Sequence, residues 1–177
     1  MMYAERHSDS GDIIIGKSSA RPYSADFLGL MENNFWGNEF TLYDDGIPEK
    51  YLSALPTGFV RVRQQKGFIK FDSNILGEQP RMLKAHVDDA GEARVFENLP
   101  PRWNERTECY TLNFYGRVSW PSAKNFELIE AGDPDTIYLL FGKVGRDTFN
   151  LDYRSPLTMF QAFCIALSAL SRKRIVS

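Results

Sequence analysis

Residues 155–173 read Ser-Pro-Leu-Thr-Met-Phe-Gln-Ala-Phe-Cys-Ile-Ala-Leu-Ser-Ala-Leu-Ser-Arg-Lys, and this stretch decides the fold. Ser155 suits a helix N-cap, and Pro156 suits the first helical position, where its missing N–H would have no partner anyway. Basic residues end the run, where positive charge favours the negative end of the helix dipole: Arg172, Lys173 and Arg174. The sequence therefore predicts a helix over residues 156–172.

This helix is apolar on almost every side. Between Met159 and Leu170 the only polar side chains are Gln161 and Ser168, whose spacing of seven residues places them on one narrow stripe. Such a helix is typical of a protein core and not of a surface. Its apolar run is shorter than the roughly 20 residues that cross a bilayer, so we expect it at the centre of a folded domain.

The composition favours a soluble globular domain in a reducing compartment. The 177 residues are 43% hydrophobic and 14% aromatic, which is ample material for a core. A net charge of -2 and a pI of about 5.7 give no global attraction to nucleic acid, so nucleic acid is not an expected partner. The two cysteines, Cys109 and Cys164, are too few for a disulfide framework and indicate the cytoplasm. The N-terminus has no pattern of a secretory signal.

Short alternating segments separated by turn residues fill most of the remaining chain. Residues 1–11 are polar and predicted to be frayed, and residues 1–26 are expected to be a polar N-terminal segment before a domain of residues 27–177. Strands are predicted at 13–15, 27–31, 39–43, 59–63, 68–71, 81–87, 93–96, 109–118, 126–129, 136–141 and 148–153. Many short strands indicate an antiparallel sandwich or barrel. Because the helix needs apolar surface all round, the sequence predicts a mainly β fold, an antiparallel closed or partly open β-barrel threaded by the C-terminal helix.

Several blocks in the second half of the chain follow the order found in one known family. They read Tyr110-Thr111-Leu112-Asn113-Phe114, Gly116-Arg117-Val118, Lys124-Asn125-Phe126, Asp133-Pro134-Asp135, Phe141-Gly142-Lys143-Val144, Leu151-Asp152-Tyr153 and Gln161-Ala162-Phe163. On these blocks the chain resembles the C-terminal domain of the tubby-like proteins. A weaker match continues upstream through Phe27, Gly29, Asn34, Gly37 and Phe40-Thr41. The resemblance implies a twelve-stranded closed barrel around a central helix, with its first few strands absent from this chain.

The resemblance also implies binding of a phosphoinositide headgroup, because tubby-like domains hold adjacent phosphates with a cluster of cations. In the family this cluster includes the Lys and Arg of a Gly-Lys-x-Arg motif, an Arg on a neighbouring strand, and an Asn nearer the N-terminus. By position, the Lys falls on Leu30 and the Arg on Glu32. The neighbouring Arg falls on Arg63, and the Asn falls near Asp12.

The loss of two cations at Leu30 and Glu32 weakens the expected attraction to phosphate. The change is about three charge units, and each basic residue near an anionic surface contributes roughly 1 kcal/mol, so about 3 kcal/mol is lost. Other cations are available to rebuild a basic face: Arg61, Arg63, Lys66, Lys70, Arg81 and Lys84. We predict that the phosphoinositide-binding residues are Arg63, Arg61, Arg81 and Lys84, with Arg61 and Arg63 pointing the same way from one strand. The alternative is that these are scattered, solvated surface charges.

No other pattern in the sequence favours an enzyme or a metal protein. His86 lies beside Asp88 and Asp89 but has no second His or Cys nearby, so a histidine at a turn edge is the better interpretation. His7 and His86 are the only histidines, which leaves a catalytic triad without a convincing base. No cofactor is expected. Core or rim packing is the expected role of the three tryptophans, Trp36, Trp103 and Trp120.

Three functional hypotheses follow. The first is a non-enzymatic domain that binds phosphatidylinositol bisphosphate and acts as a cytoplasmic adaptor, peripheral at the plasma membrane. The resemblance adds trafficking-complex partners and a ciliary or flagellar location. The alternative is a protein-interaction or structural barrel that has lost lipid binding, for which Leu30 and Glu32 are the sequence evidence. A role as a DNA-binding regulator is the weakest, because the pI is acidic.

Overall fold

The structure is a computed structural model that describes residues 1–18, 21–54, 58, 60–72, 82–89, 91–106 and 108–171. The chain divides into a first unit that includes residues 1–69 and a second unit of residues 70–171. The sequence-based division into a segment 1–26 and a domain 27–177 stays a prediction.

The first unit is built mainly from strands in the order of the chain. These are β1 (Tyr3–Arg6), β2 (Ile13–Gly16), β3 (Phe27–Asn33), β4 (Glu39–Asp44) and the beginning of β5 (Gln65–Phe71), and a short 3-10 helix covers Glu49–Ala54. The pairs β1–β2, β2–β3 and β3–β4 are antiparallel. The prediction that residues 1–11 are frayed is wrong for β1, because its backbone pairs with β2 along its whole length.

Alternation of side chains along the strands of the first unit creates a buried face. In β3 Gly29 and Met31 are buried, whereas Leu30 and Glu32 are more exposed. In β4 Phe40 and Leu42 are buried with 1% and 0% exposure. This period of two is the pattern of a half-buried sheet, so Leu30 and Glu32 of β3 lie on its opposite face.

The predicted strand at residues 59–63 is wrong for the part of it that the structure describes, residues 60–63. Val62 forms one isolated parallel bridge with Ile47, and β5 begins only after this segment. The buried carboxylate of Asp44 accepts a hydrogen bond from the backbone N–H of Gln64 at 2.9 Å. This contact, between residues twenty apart in the chain, therefore holds the segment beside the turn that follows β4. The local alternation of residue types cannot indicate such a contact.

The second unit contains one larger sheet, a small ribbon and the helix. Its strands are β6 (Leu83–Asp89), β7 (Glu92–Asn98), β8 (Arg102–Asn104), β9 (Cys109–Thr111), β10 (Phe126–Glu130), β11 (Asp133–Lys143) and β12 (Phe149–Tyr153). The larger sheet has the order β6-β7-β10-β11-β12, and β8 pairs with β9; all of these pairs are antiparallel. In neither unit do the described strands close into a ring through hydrogen bonds.

The long strand predicted at residues 109–118 ends at Thr111. A turn follows, in which Tyr115 and Gly116 have positive φ values of 50° and 75°. The side chain of Asn113 accepts a hydrogen bond from the Tyr115 N–H at 3.0 Å. Asn commonly stabilises such turns through this bond, and glycine adopts positive φ without strain. These local bonds override the alternating pattern.

The C-terminal helix, α1 (Met159–Leu170), begins later than predicted. Its N-cap is Thr158 and not Ser155. The Thr158 hydroxyl accepts the Gln161 backbone N–H at 3.2 Å, and Gln161 Oε1 accepts the Thr158 N–H at 2.9 Å. This reciprocal capping box satisfies two backbone donors that a start at Ser155 would leave to other partners. The basic residues predicted to end the helix lie outside the described residues.

The two polar side chains of α1 face inward. Gln161 and Ser168 are 3% and 0% exposed. Gln161 Nε2 donates to the Asp88 carbonyl at 3.2 Å, and Ser168 Oγ donates to the Ile165 carbonyl at 2.7 Å. The buried thiol of Cys164 has its pKa raised by desolvation. The prediction of a mainly antiparallel β fold with one apolar C-terminal helix is confirmed. No helix among the described residues is both long enough and apolar enough to span a bilayer.

Candidate functional site

A cavity of about 420 Å³ in the first unit brings together two positions that the family resemblance places at the ligand, Leu30 and Arg63. Asp12, near which the family's Asn falls, also lines it. We call it the Arg63 cavity, and its lining consists of His7, Ser10, Asp12, Ile14, Pro22, Tyr23, Phe27, Leu30, Tyr51 and Arg63. These positions are distant in sequence but share one concave surface. A binding site has this geometry.

The guanidinium group of Arg63 is held in place on several sides. Its Nε donates to the Gly46 carbonyl at 3.3 Å, and its Nη2 donates to the Tyr23 hydroxyl at 3.3 Å. Its Cζ lies 5.9 Å from the centre of the Tyr43 ring, a distance at which a cation and an aromatic ring attract each other. A cation held in this way loses less conformational entropy when it binds an anion.

Gly46 allows this arrangement because it lies directly against the backbone of Arg63. A Cβ at Gly46 would lie 2.5 Å from both the N and the Cα of Arg63, and neither backbone atom can move away alone. We expect Gly46→Ala to lower the free energy of unfolding by about 2 kcal/mol, a typical cost of overpacking. Urea unfolding measures this. Gly145→Ala is the control, because its nearest contact would be 3.5 Å, and an equal loss in both variants would contradict the explanation.

The floor of the Arg63 cavity is apolar where the family has a cation. Leu30 packs against the buried pair Ile14 and Phe27. Glu32 lies two residues further along the same face of β3, and does not line the cavity. The pKa of Tyr43 is raised, first by burial and then by the negative charge of Glu32, while Arg63 acts in the opposite direction. The carboxylate and the guanidinium therefore act on the same tyrosine.

Arg61 points away from a shared basic face and into an acidic cluster. Its Nη1 lies 3.1 Å from Oδ2 of Asp44, and its other terminal nitrogen pairs with Asp45. Lys66 Nζ lies 3.9 Å from the same Asp44 carboxylate. The expectation that Arg61 and Arg63 extend together from one strand is wrong, because this segment is not a strand and the two side chains have different partners.

The remaining predicted cations are not placed at the Arg63 cavity. Lys84 lies on β6 in the second unit, and its Nζ is 3.4 Å from Oε2 of Glu97. Arg81 lies outside the described residues. Of the three predicted site residues that the structure describes, Arg61, Arg63 and Lys84, only Arg63 lines this cavity. The assignment of Arg61, Arg81 and Lys84 to phosphoinositide binding stays a prediction.

A second cavity, of about 660 Å³, lies in the second unit, and a buried glutamate, Glu127, is among its lining residues. Glu127 of β10 is 1% exposed, and neither of its carboxylate oxygens has a hydrogen-bond partner among the described residues. Burial raises the pKa of Glu127 to about 7. Glu127 is not among the predicted site residues, although an acid between Phe126 and Leu128 within an apolar strand is a sequence signal for a buried carboxylate.

The tryptophans lie at the rim of the fold and not in its core. Trp36, Trp103 and Trp120 are 58%, 55% and 48% exposed. Trp103 lines the second cavity, and Lys143 Nζ lies 5.5 Å from the ring centre of Trp120. Within the described ranges, no three acidic, histidine or cysteine side chains are grouped closely enough to hold a metal ion.

Comparisons with known proteins agree with the matched blocks and with the fold. The Tub family matches residues 85–172. Human Tubby-related protein 1 is 36% identical over 83% of this chain and 32% of its own length, and human Tubby-related protein 3 is 34% identical over 83% and 39%. Protein king tubby 2 of Aedes aegypti is 33% identical over 83% and 41%. The match thus spans about a third to two fifths of the length of these relatives. The chain belongs to the Tub family.

Proposed function

We propose that this chain is a non-enzymatic tubby-type domain that binds the headgroup of phosphatidylinositol bisphosphate in the Arg63 cavity and so associates with a membrane surface. The observation that supports the proposal is the convergence of Asp12, Leu30 and Arg63 on one cavity. Each of these positions corresponds by resemblance to a residue that contacts phosphate in tubby-like proteins, Asp12 only approximately.

Arg63 is the principal phosphate ligand in this proposal. A guanidinium group binds two phosphate oxygens at once through parallel N–H donors, which makes it suitable for a headgroup. The hydroxyl groups of Tyr23, Tyr51 and Ser10 line the same cavity and provide further hydrogen-bond donors. His7, also in the lining, is available as another donor.

The charge of the cavity predicts a weaker affinity for the headgroup than that of a site with the full set of family cations. Arg63 is opposed by the carboxylate of Asp12, and Leu30 contributes no charge. The affinity should therefore depend strongly on the remaining guanidinium. It should also fall as salt screens the surface potential, over a Debye length of about 8 Å at physiological ionic strength.

The test is co-sedimentation of the full chain with vesicles that contain or lack phosphatidylinositol bisphosphate. We expect selective binding, and we expect Arg63→Ala to weaken it about fivefold, the equivalent of roughly 1 kcal/mol for one cation near an anionic surface. Arg146→Ala is the matched control, because Arg146 is exposed and does not line the cavity. Equal binding by both variants, or no selective binding by the folded chain, would refute the proposal.

The second candidate function is a protein-interaction domain without lipid binding. The apolar packing of Leu30 on Ile14 and Phe27, together with the neutralisation of Arg61 by Asp44, favours it. It predicts a complex with a protein partner, such as a trafficking component, that survives removal of lipid. A folded chain that binds phosphatidylinositol bisphosphate selectively through Arg63 would favour the first function instead.

A further inference from the structure

The cavity of the second unit has no role in the proposed lipid site. We call it the Glu127 cavity. It is lined by Leu99, Pro100, Arg102, Trp103, Asn104, Glu105, Arg106, Thr111, Leu112, Asn113, Tyr115, Glu127, Pro134, Asp135 and Ile137. Its volume of about 660 Å³ falls within the range of about 300–1,000 Å³ that is typical of ligand pockets.

Glu127 gives this cavity a specific chemical requirement. Its two carboxylate oxygens are buried and accept no hydrogen bond from any residue that the structure describes. The neighbouring strand positions Phe126 and Leu128 are buried and apolar, and the Glu127 carbonyl is already used by the Leu99 N–H at 2.9 Å. A buried carboxylate is costly unless donors or a positive charge compensate it. The missing partner is therefore a donor, and preferably a cationic one.

The remaining lining favours a planar cation with two donors. Apart from Glu127, the two carboxylates of Glu105 and Asp135 balance the two guanidinium groups of Arg102 and Arg106, so the ionised form of Glu127 gives the lining a net negative charge. A guanidinium group presents two parallel N–H donors to the two oxygens of a carboxylate, whereas an ammonium group is a point charge.

Two aromatic side chains add a second recognition element. Trp103 and Tyr115 line the cavity and are 55% and 67% exposed. Aromatic faces of this kind attract guanidinium groups through cation–π interaction and stacking. The carboxylate and the aromatic rings thus provide the two contacts that a guanidinium group uses best.

We propose that the Glu127 cavity is a receptor for a guanidinium group, which pairs with the Glu127 carboxylate and stacks against Trp103 or Tyr115. Both a partner protein's arginine side chain and a small guanidine compound carry this group. Because the Glu127 oxygens have almost no accessible surface, binding includes rotation of this side chain toward the cavity. A site of this kind would give the domain a second ligand, in a different unit from the Arg63 cavity.

The experiment titrates the full chain with N-acetylarginine amide and follows the Trp103 and Tyr115 signals by NMR. N-acetyllysine amide tests whether any cation suffices, and N-acetylcitrulline amide keeps the shape of arginine without its charge. We expect the arginine compound to bind at least tenfold more tightly than either. A pentapeptide with a central arginine identifies the source. Equal or tighter binding of the peptide supports a partner's side chain, and weaker binding supports a small compound.

The matched variants are Glu127→Gln, which removes the charge and keeps the shape, and Asp147→Asn, an exposed carboxylate that does not line the cavity. We expect Glu127→Gln to weaken arginine binding at least tenfold and Asp147→Asn to leave it unchanged. Three results would overturn the proposal: equal binding of the lysine compound, undiminished binding by Glu127→Gln, or no binding by the folded chain. The last result would mean that water or the chain's own arginines satisfy Glu127.

Discussion

The double variant Leu30→Lys/Glu32→Arg is expected to bind vesicles containing phosphatidylinositol bisphosphate on the order of 100-fold more tightly than the natural chain. The two changes add about three units of positive charge, and each unit contributes roughly 1 kcal/mol of binding free energy near an anionic surface. Since 1.4 kcal/mol corresponds to a factor of ten, about 3 kcal/mol corresponds to at least 100. The variant restores the two cations that the tubby-like motif has at these positions.

The geometry of β3 is suited to these substitutions. Leu30 already lines the Arg63 cavity, so a lysine there places its charge beside Arg63. The aliphatic stem of a lysine can keep the packing of Leu30 against Ile14 and Phe27 while its ammonium group reaches the opening. Glu32 is exposed on the same face, opposite Thr41 of β4, so an arginine at this position meets little steric resistance.

Vesicle co-sedimentation measures the effect, with phosphatidylserine vesicles of equal surface charge as the reference for non-specific attraction. The control variant is Asp147→Arg/Thr148→Lys, which makes the same change in charge on an exposed turn of the second unit. We expect the control to gain less than threefold for the bisphosphate over phosphatidylserine. If both variants gain equally, general electrostatics explains the increase and the Arg63 cavity is not the lipid site.

The sequence predicted those parts of the fold that depend on neighbours in the chain. The apolar helix was recognisable from its periodicity, and even its true start was available, because Thr158 and Gln161 form the Thr-x-x-Gln pattern of a capping box. Ser155 and Thr158 are both residue types that are favoured at N-caps. The reciprocal hydrogen bonds between Thr158 and Gln161 place the helix start at Thr158.

The parts that the sequence did not predict depend on contacts between distant segments. Asp44 accepts the backbone N–H of Gln64 and pairs with Arg61, whereas Arg63 donates to the Gly46 carbonyl. The position of Arg63 in a cavity could be expected only from the family resemblance. Glu127 is marked in the sequence as an acid within an apolar strand, but the cavity beside it is not, because residues of the β8–β9 ribbon and of the turn after it, distant in the chain, form much of its lining.

The stability of the chain is expected to fall by about 2.5 kcal/mol between pH 5 and pH 8 through the ionisation of Glu127. Burial raises the pKa of Glu127 to about 7 in the folded state, against an ordinary value of 4.5. Between these two values the unfolded chain has released this proton while the folded chain still holds it. Stability therefore decreases as pH rises through this window, and the full penalty of about 3 kcal/mol is reached above the folded pKa.

Glu127→Gln isolates this effect, because the amide cannot ionise and other titrating groups are common to both proteins. Charged groups that line the same cavity, Arg102, Glu105, Arg106 and Asp135, are unchanged in the variant. Urea unfolding at pH 5 and pH 8 gives the two differences in free energy, and the natural chain should lose about 2.5 kcal/mol more than the variant over this range. Equal losses would mean that the Glu127 carboxylate is already compensated in the folded protein, and the same result would remove the physical basis for a guanidinium ligand in its cavity.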